Sequence, residues 1–188
     1  MNDLVSIITP SYNTARFIPE TINSVLAQTY TNLELIFVDD GSQDDSYEVL
    51  QRCLKDAGFD HLLIRQENGG AAAARNTGLR AVEADWIGFM DSDDCAVPEY
   101  LSYLHRAATE TNADLAICGY RTIPEGAPMP DSGEIPFTCR AITPAQAMQH
   151  YCTGWLGVYC LLFKRETQQK LLPQMFYLKN TDYLTIKK

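Results

Sequence analysis

The stretch Trp86-Ile87-Gly88-Phe89-Met90-Asp91-Ser92-Asp93-Asp94-Cys95 constrains the chain more than any other. Its apolar half is short enough for one strand buried on both faces of a sheet. It then ends in three carboxylates within four positions. Acids this close repel one another and lose hydration when buried, so they belong at an open strand end. A divalent cation would relieve that repulsion, and hard carboxylate oxygens suit Mg²⁺ or Mn²⁺. In an open α/β sheet, ligands sit beyond the carboxyl ends of the strands, where Asp91 to Asp94 would fall. Taken alone, an Asp-x-Asp reads more readily as a solvated acidic turn capping the helix that starts near Pro98. The rest of the chain has to decide between the two.

The other segments alternate strand and helix. Residues 4–9 form a β-branched apolar run closed by the turn cluster Pro10-Ser11-Tyr12-Asn13. Residues 15–28 space Phe17, Ile18, Ile22, Val25 and Leu26 as one helical face, with Asn13 or Thr14 as the expected N-cap. A second strand at 33–38 runs into Asp39-Asp40-Gly41-Ser42, a helix follows at 44–57, and a third strand covers 61–65. Gly69-Gly70 then opens an alanine-rich helix carrying Arg75, which would allow a ligand close to the backbone at that helix's N-terminus. After the central stretch, 98–108 reads as a helix and 114–119 as a strand; 144–151 reads as a short helix and 158–163 as a returning strand. Between 123 and 136 lie four of the nine prolines, which marks an irregular excursion and not a domain boundary. The pattern predicts one α/β domain, Rossmann-like, with a mostly parallel sheet and helices on both faces.

Composition removes several functions. A formal net charge of −9 opposes nucleic acid as a main partner. The six cysteines are irregularly spaced and form no C-x-x-C, so a zinc site is not expected. No apolar run is long enough to span a bilayer, and Met1-Asn2-Asp3 leads straight into a strand pattern. The expected compartment is the cytoplasm, with peripheral membrane association left open. No G-x-G-x-x-G follows the first strand, and no G-x-x-x-x-G-K-S/T occurs.

In a parallel sheet the ends at 9–13, 39–42 and 91–94 share one edge with the glycine-opened helix. That chemistry suits a nucleoside diphosphate. Asp39 can accept from a base N–H or a ribose hydroxyl, and Tyr12 can pack on a base ring. Arg75 can pair with phosphate, and Asp93 can hold a metal bridging two phosphates. Taken singly, each is also an ordinary residue: a tight turn, a surface aromatic, a solvated arginine.

The set Val5-Ser6-Ile7-Ile8-Thr9-Pro10-Ser11-Tyr12-Asn13, Val38-Asp39-Asp40-Gly41-Ser42 with Asp44, Asn68-Gly69-Gly70 with Ala74-Arg75-Asn76 and Gly78, and Asp91-Ser92-Asp93-Asp94 resembles glycosyltransferase family 2. The resemblance covers roughly residues 4–120 densely; Trp155 and Leu162-Phe163-Lys164-Arg165 match the family's acceptor side less tightly. It implies the GT-A fold, transfer of a sugar from a nucleotide donor (a UDP-sugar) to an acceptor hydroxyl with inversion, and Mn²⁺ or Mg²⁺ as cofactor. Residues 1–120 would then be the nucleotide-sugar-binding half, and 121–188 an acceptor-side segment of the same domain. Carried over by position, Pro10 and Tyr12 line the nucleoside pocket and Asp39 contacts uracil or its ribose. Arg75 lies by the diphosphate, Asp91 hydrogen-bonds ribose or sugar, Asp93 holds the metal, and Asp94 is a possible sugar contact. The family's general base usually lies in an acidic pair well after the fifth strand. Here the nearest counterpart is Asn180-Thr181-Asp182, which makes Asp182 the candidate base. The chain ends sooner than most members, which leaves a truncated domain open. Two alternatives remain: a nucleotide-sugar-binding module without catalysis, and a sugar-1-phosphate nucleotidyltransferase, which would need a glycine-rich basic loop where Thr9-Pro10-Ser11-Tyr12-Asn13 stands.

Overall fold

The structure, a computed structural model, describes residues 3–55, 57–58, 60–119, 122–124, 139, 141, 143 and 161–167. Strand β1 (Val5–Ser11) leads into helix α1 (Ile18–Leu26), β2 (Leu33–Asp39), α2 (Ser46–Leu54), β3 (Asp60–Arg65), α3 (Ala71–Ala81), β4 (Trp86–Phe89), α4 (Tyr100–Glu110), β5 (Leu115–Ile117) and β6 (Leu161–Lys164). The described strands form one sheet in the order β3-β2-β1-β4-β6-β5. The pairs β2–β3, β1–β2 and β1–β4 are parallel, whereas β6 runs antiparallel to both β4 and β5. The alternation of elements therefore predicts the first four strands, but not that β6 returns between β4 and β5.

Strand periodicity divides the interior into two cores. Val5, Ile7, Leu33, Leu35 and Phe37 face α1, α2 and α4, meeting Ile18, Ile22, Leu50, Leu54, Leu101 and Leu104. Ile8, Ile36, Val38, Ile87 and Phe89 face α3. Helix α3 lies close enough to β1 that a Cβ on Gly78 would stand 2.4 Å from Ile8 Cγ2, so no larger residue fits there without displacing the helix. Helices thus cover both faces. Among the described residues, no helix is long and apolar enough to cross a membrane.

Two local expectations need correcting. Strand β1 does not stop at Thr9 but continues through Pro10 and Ser11, paired with Val38 and Asp39 of β2. Proline is tolerated because pairing with β4 has already ended at Ile8–Phe89, so its missing N–H costs no ladder bond. Helix α1 starts at Ile18, with Pro19 in its first turn and no side-chain cap. Asn13 does not cap it. With φ of 54°, Asn13 turns away, and its Oδ1 accepts from the Gln43 and Asp44 amides at 2.8 and 3.4 Å. A side chain expected to act within its own helix instead ties the β1 loop to the β2 loop.

The switch point lies between β1 and β4. From β1 the chain moves outward through β2 and β3, then crosses through α3 to β4 on the other side of β1. Loops leaving the carboxyl ends of β1 and β4 diverge at such a point and leave a crevice.

Candidate active site

At the β1–β2 rim, register sets Ser11 beside Asp39 and Asp39 beside Arg65, one from each of three adjacent strands. Asp39 is fully buried, and neither carboxylate oxygen has a hydrogen-bond partner. Arg65 Nε lies 3.2 Å from Asp39 Oδ2, near enough for charge attraction but not aligned as a hydrogen bond. The Thr9 hydroxyl, one side-chain step deeper on the same face, is also fully buried and unpartnered. Buried polar groups are normally satisfied, and a lone buried carboxylate is costly. Two buried, unpartnered polar side chains on one face of the strand ends make this rim a candidate place for a hydrogen-bonding ligand.

The adjacent acid has a different role. Asp40 is buried; its Oδ1 accepts from Gln66 Nε2 at 2.6 Å and Gly69 N at 3.0 Å, and its Oδ2 accepts from Gly70 N at 2.7 Å. These amides open α3, so the anion expected at that helix N-terminus is supplied from within the chain. The Gly69-Gly70 amides that the sequence offered to a ligand are already engaged. The turn carrying Asp40 fits tightly: Gly41 has φ of 72°, and a Cβ there would lie 2.9 Å from the Asn68 nitrogen. Asp44 is likewise internal. Burial alone would raise its carboxyl, but hydrogen bonds from the Ser46 hydroxyl, the Ser46 amide and the Ala15 amide outweigh that and hold it below the ordinary value.

The β4 end is tied to the β1 end by hydroxyls. Ser11 Oγ lies 2.9 Å from Thr14 Oγ1, which lies 2.9 Å from Ser92 Oγ. Thr21 donates to the Ser92 carbonyl at 2.9 Å. Ser92 is therefore buried and fixed from two sides. Its neighbours emerge around it: Asp91 accepts from Arg75 Nη2 at 2.5 Å, while Asp93 and Asp94 are exposed. Arg75 is mostly buried, and its Nε has no partner among the described residues. Partial desolvation, then the charges of Asp91 and Asp93, push the Asp94 carboxyl up to about 6, although the residue as a whole keeps solvent access. Such an excess of negative charge, on oxygen ligands, fits a hard divalent cation. Among the described residues no group of three or more His, Cys, Asp or Glu could by itself hold a metal ion. One or two of these carboxylates could serve a cation only together with ligands from a bound molecule and water.

Of the candidate residues, Asp39, Arg75, Asp91, Asp93 and Asp94 gather with Tyr12 at the carboxyl edge of β1, β2 and β4. Tyr12 is 44% exposed just past β1, free to pack on a planar ligand. Pro10 is buried within β1, so it lines the edge through its backbone course and not as an exposed ring. Asp182, Trp155 and the helix expected at 144–151 lie outside the described residues. Sequence reasoning missed Asp40, Ser92 and Arg65 as parts of the site. Arg65 closes a strand already predicted, and its register against Asp39 was the missing information.

Comparison with known proteins defines the family and the fold. The family model for glycosyl transferase family 2 matches residues 6–151. TuaG of Bacillus subtilis (strain 168), a glycosyltransferase provisionally assigned by name to teichuronic acid biosynthesis, is 32% identical over 173 residues, 92% of this chain and 67% of TuaG. Glycosyltransferase GlyA of Streptococcus pneumoniae serotype 4 is 37% identical over 127 residues, which span 66% of this chain but only 18% of GlyA. Among solved structures, residues 1–349 of Staphylococcus aureus TarS in complex with UDP-GlcNAc superpose with a TM-score of 0.72 at 24% identity, covering 88% of this chain and 46% of that one. The mannosyltransferase PcManGT from Pyrobaculum calidifontis, in complex with GDP-Man and Mn²⁺, gives 0.69 at 20% identity, covering 91% and 47%. The sheet and its helices are those of a GT-A domain. This chain belongs to glycosyl transferase family 2. It spans less than half the length of GlyA and of several other curated relatives.

Proposed function

We propose that the chain carries the donor site of an inverting, metal-assisted glycosyltransferase. It would move a sugar from a nucleoside diphosphate, UDP in the first instance, to an acceptor hydroxyl during polysaccharide or glycan assembly. The observation that carries this reading is the fully buried, unpartnered Asp39 carboxylate at the same sheet edge as Arg75 and the Asp91–Asp94 acids. A nucleoside would satisfy Asp39, a diphosphate would pair with Arg75, and a divalent cation would lie between the diphosphate and the acids. Likeness to TarS bound to UDP-GlcNAc and to PcManGT bound to GDP-Man and Mn²⁺ supports it, as does kinship with TuaG.

In this reading Asp39 accepts from base or ribose, Tyr12 covers the ring, and Asp91 contacts ribose or sugar while steadying Arg75 beside the diphosphate. Asp93 would hold Mn²⁺ or Mg²⁺, which would supply positive charge to the diphosphate leaving group. A carboxylate, Asp182 by the family pattern, takes the proton of the acceptor hydroxyl. That oxygen forms a bond to the anomeric carbon as the bond to diphosphate breaks on the opposite face, which inverts the centre. Cys53 and Cys95, partly buried thiols, suit a reducing compartment, and we place the reaction in the cytoplasm.

Calorimetric titration with UDP, with and without Mn²⁺, tests the site; absence of binding under both conditions refutes it. Incubation with a UDP-sugar then separates the alternatives. Release of UDP from that donor with transfer to an acceptor marks a transferase, release of pyrophosphate in a parallel incubation with UTP and a sugar 1-phosphate marks a nucleotidyltransferase, and binding without turnover in either marks a binding module.

A further inference from the structure

We infer that Arg65 is a base-reading residue, which with Asp39 presents a hydrogen-bond donor beside an acceptor and so selects a base whose ring N–H adjoins a carbonyl, as in uracil. The inference rests on the nucleotide site proposed above and adds which edge of the base that site reads. Register places Asp39 and Arg65 side by side at the ends of β2 and β3. Asp39 supplies acceptor oxygens that nothing in the described structure hydrogen-bonds. The Arg65 guanidinium leans toward them, with Nε 3.2 Å from Oδ2, yet its side chain is 46% exposed. It therefore reaches from the buried acid to solvent at the strand ends.

Two contacts fix it there. The guanidinium carbon lies 4.6 Å from the centre of the Tyr47 ring, and Nη2 lies 3.4 Å from the Ser42 carbonyl. A guanidinium stacked on an aromatic face is held in plane while keeping N–H groups at its edge for a further acceptor. Because the Asp39 contact is not aligned as a hydrogen bond, the geometry is not that of a closed, self-satisfied ion pair.

Uracil offers N3–H to the carboxylate and an adjacent carbonyl to the guanidinium. Cytosine reverses these two positions, setting a ring nitrogen lone pair against Asp39 and an amino group against Arg65. It could match the pair only by sliding one position along its edge, which would draw ribose and diphosphate out of line with Arg75 and the acidic group. A site built around hydrogen-bonding groups rejects the mismatched partner far more strongly than an apolar pocket does.

The rival role for Arg65 is charge compensation of a buried acid. That role would affect all nucleotides alike, whereas base reading changes the ratio between them. Affinities for UDP and CDP are therefore measured by calorimetry with Mn²⁺. The parent should prefer UDP by at least about tenfold. Arg65→Met should bring the two within about threefold by weakening UDP while leaving CDP near its parental value. Tyr47→Leu, which frees the guanidinium without removing it, should lower the ratio part of the way. An unchanged ratio in Arg65→Met, or equal weakening of both nucleotides, overturns base reading while leaving the nucleotide site intact. A parent that binds both equally well overturns it too, and a parent that binds neither removes the site itself.

Discussion

The two ends of the same parallel strands treat buried polar groups in opposite ways. At the amino end, Asp3 gathers its neighbours. Its carbonyl accepts from the Tyr30 hydroxyl at 2.5 Å, and its carboxylate lies 3.1 Å from Trp86 Nε1 and 3.0 Å from His105 Nε2. The Tyr30 and Trp86 rings pack against His105, with centroids 5.0 and 5.7 Å away. The His105 hydrogen bond holds the Asp3 carboxyl below its ordinary value, while burial pushes the Tyr30 hydroxyl up to about 12. At the carboxyl end, Asp39, Thr9 and Arg75 keep buried polar atoms unpartnered, and three acids crowd one turn. A satisfied network holds elements together. An unsatisfied one costs stability, and a protein keeps it where a ligand is to complete it.

The difference can be tested from its strongest consequence downward. Asp93→Asn removes a hard anionic ligand from the acidic turn and should weaken metal-dependent UDP binding on the order of a hundredfold or more. Calorimetry with and without Mn²⁺ measures this, and parental affinity would remove Asp93 from the metal site. Asp39→Ala should weaken uridine and UDP by similar factors, at least ~tenfold, since a hydrogen bond to a charged group contributes ~1.5–3 kcal/mol. The same variant should be no less stable than the parent without ligand, because it removes a buried charge lacking a hydrogen bond. A marked fall in its unfolding midpoint would mean that Asp39 is structural.

Asp3→Ala should do the reverse. It leaves the buried Trp86 N–H unpartnered, at a cost of about 1 kcal/mol given how open Asp3 is, with UDP affinity unchanged. Urea unfolding beside a UDP titration separates the two outcomes.

The smallest effects are in pH, and their signs differ. Asp3 is depressed in the folded state, so its contribution is present above the unfolded value of 3.8 and is lost as pH falls through its lower folded value. Asp94 is raised to about 6, so its contribution is present below 3.8 and is lost as pH rises through about 6. In metal-free buffer, lowering pH from 7 toward 5 should therefore slightly stabilise the parent but not Asp94→Asn. Identical responses would show that crowding at Asp94 has no energetic consequence.

The sequence alone determined the parts that depend on local pattern. Apolar runs with β-branched residues mark β1, β2 and β4, because burial on both faces leaves no room for polar alternation. Strand-end acids are legible because polar residues clustered after such runs belong at a sheet edge, and Arg75 because two glycines open the helix that carries it. Only the tertiary structure decided what each of those acids does. Asp39 and Asp40 are adjacent and chemically identical, yet strand alternation leaves one buried without a hydrogen bond and points the other onto the Gly69-Gly70 amides. Asn13 reads as a helix cap, but its positive φ carries it to a neighbouring loop. Arg65 acquires a role only through its register against Asp39, and β6 takes its place through pairing with strands far away in sequence. Local periodicity records which residues must be buried; which partner a buried group meets depends on contacts between distant segments, and no short stretch of sequence encodes those.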